Sequence, residues 1–332
     1  MKVNMKQISE ITGVSTATVS NALNYKKGVN ADTAARVLKA AQELGYFDEN
    51  RITKMKFVTF KRSGSIVEDT PFFPLMLAGI EKECRENGMD MVMRGLDIRA
   101  SDYEEQVRDL LSDKSSAIIM LGTEILAEDA GLLGRITNPF VVIDYWNGEM
   151  SFNSIQINNE DSVKCAIRYL VRKGHTQIGY LRGDFRITPF KTRGAGYRSG
   201  MREANLPIRK EYTLTVGSRM DSAYSEMKMH LERGVKLPTA FVADNDMIAL
   251  GAMKAMTESG IRIPEDVSII GFDDLPFAAV ASTPLTTLYV PKEEMGRIVA
   301  RRLIEVIKGD TVTTKIYVST TFVERDSVKS LI

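Results

Sequence analysis

Residues 4–46, NMKQISEITGVSTATVSNALNYKKGVNADTAARVLKAAQELGY, decide the fold of the N-terminal region, because their spacing predicts three short helices. Asn4 can cap the first helix, and Gln7 stands where a capping box places its second partner. Gly13 follows the last polar turn as a C-cap, and Ser15 caps the next helix. Only a tight turn fits between these helices, which indicates a helix-turn-helix unit.

The second and third helices of this region each have an apolar face. In the second helix, Val19 and Leu23 point inward at i, i+4 spacing. Its other faces carry small or hydrogen-bonding residues: Thr16, Ala17, Ser20, Asn21 and Asn24. The third helix is capped near Asn30 and carries Ala34, Val37, Ala41 and Leu44 at helical spacing. Such a unit can enter a DNA major groove, although an ordinary three-helix bundle has the same pattern.

The distribution of charge separates this head from the rest of the chain. Residues 1–56 contain 9 Lys and Arg against 5 Asp and Glu, a net charge of +4. The whole chain carries +1, so the remainder carries −3. A basic head on an acidic body is the electrostatic footprint expected for binding phosphate groups.

Size and composition predict a globular protein. With 332 residues, of which 44% are hydrophobic and 26% charged, the chain is long enough for two or more domains. Cys84 and Cys165 lie far apart in amphipathic helical patterns, so we expect two buried thiols in a reducing cytoplasm. The first residues lack a secretion signal, and no apolar run reaches the ~18–20 residues of a membrane span. With 2 His and 1 Trp, we expect no metal, no cofactor and no catalytic residue.

The body is predicted to be α/β. The polar stretch FDENRITKMK, residues 47–56, is a linker, and β-like runs then alternate with helical patterns from Phe57 onward. The predicted helices of the body span residues 73–87, 103–111, 161–173, 193–204, 221–232, 247–259 and 292–308, with another ending near 136. Two doubly wound parallel-sheet lobes fit this rhythm better than one sheet. Residues 285–325 add further crossings between the lobes, which periodicity alone does not place.

Polar side chains follow several of the predicted strands. They are Asp144, Tyr145, Trp146, Arg219, Asp244, Asn245, Asp246, Asp273 and Asp274. Ligands of open α/β sheets bind beyond the carboxyl ends of the strands. Aromatic rings beside carboxylate, amide and guanidinium groups suit a sugar or a similar polar ring. The alternative for Asp221, Asp246 and Asp274 is helix capping, which we expect of these three.

Several stretches of the chain resemble the LacI (lactose repressor-like) family of transcriptional regulators. They are ISEITGVSTATVSNALN, the spaced apolar series from Val29 to Tyr46, PFFPLMLAGIEKECRENG, RGAGYRSGM, ADNDMIALGAM and IPEDVSIIGFDDLPFAAVASTPLTTL. These motifs cover nearly the whole length in the family's order. The resemblance implies an N-terminal helix-turn-helix domain, residues 1–46, and a two-lobed effector-binding and dimerisation body, residues 57–332, that is similar to periplasmic sugar-binding proteins. It also implies a first lobe of about residues 57–157 and 290–319 and a second lobe of about residues 158–289 and 320–332.

The resemblance also implies which residues of the head contact an operator. Base-edge candidates are Thr16, Ala17 and Asn21, and Asn21 is suited to bidentate pairing with adenine. Candidates for positioning on phosphate are Ser15, Thr18, Asn24, Asn30 and Thr33. We include Asn4 and Ser20 in the DNA-binding set, while helix packing is the alternative for Thr18 and Ser20.

The positions that match the family's effector contacts lie in the body. They are Phe72, Phe73, Tyr145, Arg193, Arg219, Asn245 and Asp273, and Trp146 is added as the neighbour of Tyr145. Phe73 is expected to stack on a ring, and Arg193 with Asp273 to bracket hydroxyl groups. Arg219 stands where relatives can have an aromatic residue, so a sugar phosphate is considered beside a sugar.

The linker departs from the family pattern. Members usually carry Asn-x-x-Ala-Arg-x-Leu here, whose leucine wedges into the minor groove, and FDENRITKMK contains no such run. Ile52 and Met55 are poor substitutes for this leucine. We therefore predict that bending of the operator is reduced or achieved differently.

These observations favour a cytoplasmic, DNA-binding repressor of carbohydrate metabolism genes that acts as a homodimer and is switched by a small ligand. One alternative keeps DNA binding but replaces the ligand by a protein corepressor. A sugar-binding protein without DNA binding conflicts with the basic head. An enzyme is disfavoured because the chain has neither a G-x-G-x-x-G turn after a strand nor a G-x-x-x-x-G-K-[ST] loop.

Overall fold

The computed structural model describes residues 4–23, 29–44, 52–68, 70–148 and 151–332. The chain divides into two compact units, Met1–Thr53 and Lys54–Ile332, called here the head and the body. The described part of the head contains the helices α1 Met5–Thr12, α2 Thr16–Leu23 and α3 Ala31–Glu43. None of the helices in the described part of the chain combines the length and apolar character needed to cross a bilayer.

The body alternates strands with helices. Its first series is β1 Lys54–Lys61, α4 Phe72–Glu86, β2 Asp90–Asp97, α5 Tyr103–Ser112, β3 Ser116–Leu121, α6 Gly131–Arg135, β4 Phe140–Ile143 and β5 Asn153–Ile157. The second series is α7 Asn159–Arg172, β6 Ile178–Gly183, α8 Thr188–Glu203, β7 Thr213–Val216, α9 Met220–Glu232, β8 Ala240–Ala243, α10 Asp246–Glu258 and β9 Ser268–Ile270. The chain ends with α11 Pro276–Val280, β10 Thr287–Tyr289, α12 Lys292–Ile307, β11 Lys315–Val318 and β12 Thr321–Val323.

The strands form two parallel sheets, one in each lobe. The six-stranded sheet has the order β11-β5-β4-β3-β1-β2, and the four-stranded sheet has the order β7-β6-β8-β9. A separate antiparallel pair joins β10 to β12. β11 returns to the six-stranded sheet, and the chain after β12 returns to the second lobe, where the Ile269 N–H donates a hydrogen bond to the Ser327 carbonyl oxygen. The chain therefore passes between the two lobes more than once. The predicted α/β class with two parallel-sheet lobes is confirmed.

Each sheet has an apolar core on its covered faces, as expected of parallel strands. The strand β3 is buried along its whole length. In the second lobe the core joins β8 to the helices α9 and α10, with Phe241, Met227 and Met256 all fully buried. Burying a side chain of this size contributes about 1.5–3 kcal/mol. Cys84 is buried as predicted, whereas Cys165 is only partly buried.

The helices α4 and α12 cross with their backbones in contact. A Cβ at Gly79 would lie 1.9 Å from the carbonyl oxygen of Glu293, and a Cβ at Gly296 would lie 2.1 Å from that of Met76. Neither position can hold a side chain unless the helices move apart. This crossing fixes the N-terminal end of α4, which carries Phe72 and Phe73, against the first lobe.

The structure adds two elements to the predicted order and moves some boundaries. β5 was not predicted, because its sequence NSIQI is short and half polar. α11 was not predicted either, and it spans only five residues. β1 begins at Lys54, three residues before the predicted start of the body at Phe57. α8 begins at Thr188 instead of Arg193, with Pro189 in its first turn, where proline is well tolerated.

Candidate functional site

The head is held together by local caps around a small core. Asn4 accepts backbone hydrogen bonds from Lys6 and Gln7, and the Gln7 side chain accepts one in return from the Asn4 N–H. Gly13 ends α1 with a left-handed φ of 68°. Ser15 accepts a hydrogen bond from the Thr18 N–H at 3.1 Å. The predicted capping box, C-cap and second N-cap are confirmed.

The core of the head leaves one side of α2 open. Ile8, Val19 and Val37 are fully buried in it. Thr16 and Ala17 are exposed, and Asn21 is partly exposed. Val19 is the one of these three buried residues that lies in α2, and its burial places the predicted base-edge candidates on the outer side of the helix.

The remaining DNA-binding candidates are partly committed to helix caps. The Asn30 side chain accepts a hydrogen bond from the Asp32 N–H at 2.8 Å, which confirms the predicted cap of α3. Ser15 and Thr18 are joined through their hydroxyl groups at 2.9 Å. Thr33 and Ser20 are partly exposed. Asn24, Tyr46 and residues 47–51 of the linker lie outside the described residues.

Met55 is excluded as a substitute for the family's wedge leucine. Its side chain is fully buried in β1, where its sulfur lies 3.4 Å from Cys84 Sγ. A residue that fills the core of the body cannot enter a minor groove without local unfolding. Ile52, the other residue considered as a substitute for this leucine, is partly exposed and precedes β1.

The body contains a cleft between its lobes with two adjoining cavities. The outer cavity has a volume of about 520 Å³, and the inner one a volume of about 40 Å³. Ile66, Thr70 and Asn245 border both cavities. The cleft therefore has a wide entrance and a narrow, largely buried end.

The predicted effector residues are divided between these cavities. The inner cavity is lined by Phe72, Phe73, Arg193, Asn245 and Asp273, and the outer cavity by Arg219 and Asn245. The rings of Phe72 and Phe73 lie edge to face with centroids 5.3 Å apart. Asn245 also caps α10, because its side chain accepts a hydrogen bond from the Ile248 N–H.

Tyr145 and Trp146 lie in neither cavity. Tyr145 is stacked on Phe152 with ring centroids 6.5 Å apart, and Trp146 packs on the same ring at 5.4 Å. Both rings belong to the core of the first lobe. The chain turns at Asp144 and directs these two side chains toward the first lobe, so their predicted contact with an effector is not part of the arrangement seen here.

Arg193 lines the inner cavity, but its side chain is bound mainly to other residues of the protein. Its guanidinium lies 3.6 Å above the ring of Phe272 and donates hydrogen bonds to the Asn159 side chain and the Asp244 carbonyl oxygen. It also donates to Asp273 at 3.4 Å. With the side chain only 4% exposed, most of its donors are used by the protein itself. Arg193 therefore positions Asp273 and the wall around it.

Asp144, which lines the inner cavity, has a buried polar atom without a hydrogen-bond partner. Its Oδ2 accepts a hydrogen bond from Thr123, whereas its buried Oδ1 has no hydrogen-bond partner among the described residues. Burial raises the pKa of Asp144 to about 6. Its φ of 62° and that of Asp273, 108°, are both left-handed. Such backbone strain in non-glycine residues is concentrated at functional sites.

Burial also raises the pKa of Asp273, against the opposing effect of Arg193 and Lys292. Lys292 is itself buried and donates hydrogen bonds to the carbonyl oxygens of Asp273 and Asp274. Helix capping was predicted for Asp246 and Asp274, but their side chains form other contacts. Asp246 accepts from Thr287 and from the Leu275 N–H, and Asp274 pairs with Arg325 at 2.8 Å.

Sequence reasoning missed the loop of residues 62–68 that follows β1. Ser65, Ile66 and Glu68 from this loop line the outer cavity. The loop is held by the buried Glu124 carboxylate, which accepts hydrogen bonds from five of its backbone N–H groups. The position of the loop beyond a carboxyl strand end could have identified it, since the other cleft residues were found by that rule.

The chain matches two family models. Residues 4–48 match the model of bacterial regulatory proteins, lacI family, and residues 167–328 match that of the periplasmic binding protein-like domain. A relative, the HTH-type transcriptional repressor PurR of Haemophilus influenzae (strain PittEE), is 30% identical over 335 residues, covering 99% of each chain.

Solved structures share the whole architecture. The transcriptional regulator CelR in complex with cellobiose is 25% identical with a TM-score of 0.74, covering 98% of this chain and 99% of that one. The Lac repressor bound to ONPG in its repressed state is 25% identical with a TM-score of 0.74, covering 99% and 100%.

Proposed function

Because this chain is a DNA-binding transcriptional repressor of the lacI family of bacterial regulatory proteins, we propose that a neutral, carbohydrate-like ligand in the cleft switches its binding to an operator. In this proposal residues 1–46 read the DNA, and residues 57–332 bind the ligand and form a homodimer. We place this function in the cytoplasm, where the partner is DNA, and assign no catalytic activity to the chain.

The outward face of α2 supports the DNA-binding part of the proposal. Thr16 and Ala17 are small and exposed, so they suit a thymine methyl or a single hydrogen bond, and Asn21 suits adenine. Selection of bound sequences from a random duplex pool tests this assignment. We expect a two-fold symmetric operator, because two heads related by a dimer axis read equivalent half-sites.

The buried Oδ1 of Asp144, which has no hydrogen-bond partner among the described residues, is the observation that carries the proposed ligand class. It is sealed in this conformation, so a ligand hydroxyl group reaches it only when the cleft rearranges. A buried carboxylate oxygen without a donor gains most from a ligand hydroxyl group. Asp273 adds a second buried carboxylate to the same cavity. An anionic ligand would meet two carboxylates here, while Arg193 already spends its donors on the protein. The inner cavity, with a volume of about 40 Å³, has room only for the edge of a ligand, so its carboxylates favour the hydroxyl groups of a neutral polyhydroxylated ring whose body lies in the outer cavity of about 520 Å³.

The cavity walls supply the apolar contacts that such a ring needs. Phe72, Phe73 and Phe190 line the inner cavity and are nearly fully buried. A sugar presents C–H groups on its ring faces and hydroxyl groups around its edge, which matches aromatic walls combined with a few polar groups. The relative solved with cellobiose has a ligand of this class.

Exposed apolar residues in the second lobe support the homodimer. Val280 is 79% exposed and Phe277 is 47% exposed, and both lie on the short helix α11. Neighbouring exposed apolar side chains on one short element are typical of an interface with another copy. Sedimentation equilibrium of the full chain tests this part, and we expect Val280→Asp to shift the population toward the monomer.

Thermal-shift titration with cellobiose, maltose and glucose 6-phosphate tests the ligand class. We expect a neutral sugar to raise the midpoint temperature and to change operator affinity in a gel-shift assay. Asp144→Asn should weaken its binding about tenfold, since the lost hydrogen bond involves a charged group. Asp109→Asn, an exposed control on α5, should not change it.

The pH dependence gives an independent test of the role of Asp144. The ionised carboxylate is the better acceptor, and burial raises its pKa to about 6. Affinity for a neutral sugar should therefore increase as the pH rises through about 6, and Asp144→Asn should abolish this increase. A response to glucose 6-phosphate alone, unaffected by Asp144→Asn, would contradict the proposed ligand class.

A further inference from the structure

The second lobe contains a further cavity, of about 340 Å³, that is not part of the cleft. It lies between α8 and the edge of the four-stranded sheet, where β7 is the last strand. Four cationic side chains line it: Arg182, Arg186, Lys191 and Arg198. No carboxylate lines this basic cavity among the described residues. The positive charge is local, because residues 57–332 carry a net charge of −3.

Three of these cations have no anionic partner in the part of the chain that the structure describes. Among the described residues, no carboxylate lies within ion-pair distance of Arg182, Lys191 or Arg198, although all three are exposed at the rim. Elsewhere in the body arginines are drawn into ion pairs, such as Arg297 and Arg301 with Glu83. Like charges held around one concavity repel each other, and a bound anion relieves this repulsion.

The fourth cation is fixed in place from behind. Arg186 pairs with the buried Asp244 and donates hydrogen bonds to the carbonyl oxygens of Gly183 and Phe190. Its guanidinium also lies 5.8 Å above the ring of Phe190. Arg186 is therefore held in one orientation before any ligand arrives, which lowers the entropic cost of binding.

Gly194 leaves an empty position between the cations. A Cβ built on it would lie 3.4 Å from Arg186 Nη2, 3.6 Å from Arg198 Nη1 and 3.8 Å from Tyr180 Cε1. Two guanidinium groups and a ring edge thus surround one small space at the floor of the cavity. The other two glycines of RGAGYRSG have a packing role instead, because a Cβ at Gly196 would meet Glu160, and one at Gly200 would meet Ile167.

The apolar part of the floor is rigid. The rings of Tyr180 and Tyr197 are stacked with centroids 4.9 Å apart, and both are nearly fully buried. The Tyr197 hydroxyl donates a hydrogen bond to the Ile178 carbonyl oxygen at 2.9 Å. Ile208, which is 44% exposed, adds an apolar edge on the opposite side.

From this arrangement we propose that the basic cavity is a second ligand site, which binds a small phosphorylated metabolite independently of the cleft. Arginine forks match phosphate oxygens in geometry and charge, and four cations suit a group with two or more negative charges. The volume is that of a small-molecule site, and its concave shape favours a free metabolite over the phosphates of a DNA duplex.

Isothermal titration calorimetry of the full chain with inorganic pyrophosphate, at constant ionic strength, tests this site. We expect one pyrophosphate bound per chain, and we expect Arg198→Ala to weaken it about tenfold through the loss of a charge-assisted contact. Arg108→Ala removes an exposed arginine in the first lobe and should leave binding unchanged.

Gly194→Ala tests the shape of the cavity without changing its charge, because it keeps all four cations. Its methyl group would make only ordinary contacts with the surrounding side chains and sits in a helix interior, so the fold should be preserved. We expect it to weaken pyrophosphate binding several-fold by filling the space between the guanidinium groups. Circular dichroism of the variant confirms that the chain is folded.

Three outcomes of the pyrophosphate titration would overturn the proposal, and a fourth comes from a titration with DNA. The first is an absence of pyrophosphate binding, and the second is equal weakening by Arg108→Ala, which would indicate non-specific attraction. The third is loss of binding in Arg219→Ala but not in Arg198→Ala, which would place the anion in the cleft. A parallel titration with random-sequence duplex DNA identifies the other source of phosphate. If Arg198→Ala weakens DNA binding alone, the cavity contacts DNA.

Discussion

Glu124→Gln tests whether a single buried carboxylate holds the loop of residues 62–68 in the wall of the cleft. The Glu124 side chain is fully buried. Its Oε2 accepts hydrogen bonds from the N–H groups of Arg62, Ser63 and Gly64 at 2.7–2.9 Å. Its Oε1 accepts from those of Ile66 and Val67 at 3.0 and 3.4 Å. Every acceptor position of this carboxylate is therefore aimed at one loop.

The expected loss of stability in Glu124→Gln follows from the hydrogen bonds that a glutamine amide cannot accept. Glutamine keeps one oxygen, which can retain the three contacts of Oε2, but its NH₂ group then faces the N–H groups of Ile66 and Val67. An unsatisfied buried donor costs about 1–3 kcal/mol, and the second of these contacts is already long. We expect the free energy of unfolding to fall by about 3 kcal/mol.

Urea denaturation measures this loss, and hydrogen exchange of the loop amides shows where it arises. Glu68→Gln is the matched control, because Glu68 lies in the same loop but forms a partly exposed pair with Lys61 at 2.9 Å. It should cost less than about 1 kcal/mol. Equal effects of the two variants, or unchanged loop exchange in Glu124→Gln, would refute the assigned role of Glu124.

The hydrogen bonds between Glu124 and the loop of residues 62–68 also predict that the loop loses stability in acid. Burial alone would raise the pKa of Glu124, but the hydrogen bonds from the backbone of Ile66, Gly64, Ser63 and Arg62 outweigh it and lower the pKa. A carboxyl group whose pKa is lower in the folded protein stabilises it at neutral pH. That contribution is lost as the pH falls below the ordinary value of 4.5. The protection of the loop amides, measured relative to free-chain exchange at the same pH, should therefore fall there in the parent chain but not in Glu124→Gln.

Three further predictions concern other parts of the chain. Gly296→Ala should lower the free energy of unfolding of the body, measured in urea, by about 1–3 kcal/mol or more, because its methyl group would lie 2.1 Å from the Met76 carbonyl oxygen. An unchanged urea midpoint would show that α4 and α12 can separate freely. Asp246→Asn should become more stable relative to the parent as the pH rises from 4 to 8. Burial and then repulsion from Asp273 raise the pKa of Asp246 to about 8, so ionisation of Asp246 opposes folding of the parent. Parallel stability curves for the two proteins would contradict this. Asn21→Ala should relax the preference at one operator base pair by about 1–3 kcal/mol in a binding-site selection, whereas uniform weakening on all sequences would reassign Asn21 to phosphate contact.

The local features of the head were predictable because their causes lie within a few residues. A cap such as Asn4 with Gln7 needs only the geometry of the first turn, and Gly13 needs only a left-handed conformation at the helix end. The alternation of strands and helices in the body follows equally from periodicity. By contrast, β5 was missed because its polar residues are satisfied by distant partners, as when Asn153 accepts from Arg302.

The cleft was only partly predictable. The rule that ligands bind beyond carboxyl strand ends correctly directed attention to Asp144, Asn245 and Asp273, all of which line the inner cavity. It also included Tyr145 and Trp146, which pack inside the first lobe. Adjacent residues at a strand end can point in opposite directions, and the left-handed φ of Asp144 decides which of them enters the cleft.

The sequence by itself determined the helix-turn-helix head, the two-lobed α/β body and the family, because caps, periodicity and motif order are properties of neighbouring residues. The tertiary structure decided which side chains are available for a ligand. It committed Arg193 to Phe272, Asn159 and the Asp244 carbonyl, and it buried Oδ1 of Asp144 without a hydrogen-bond partner among the described residues. Availability depends on partners that are distant in sequence, and only packing brings those partners together.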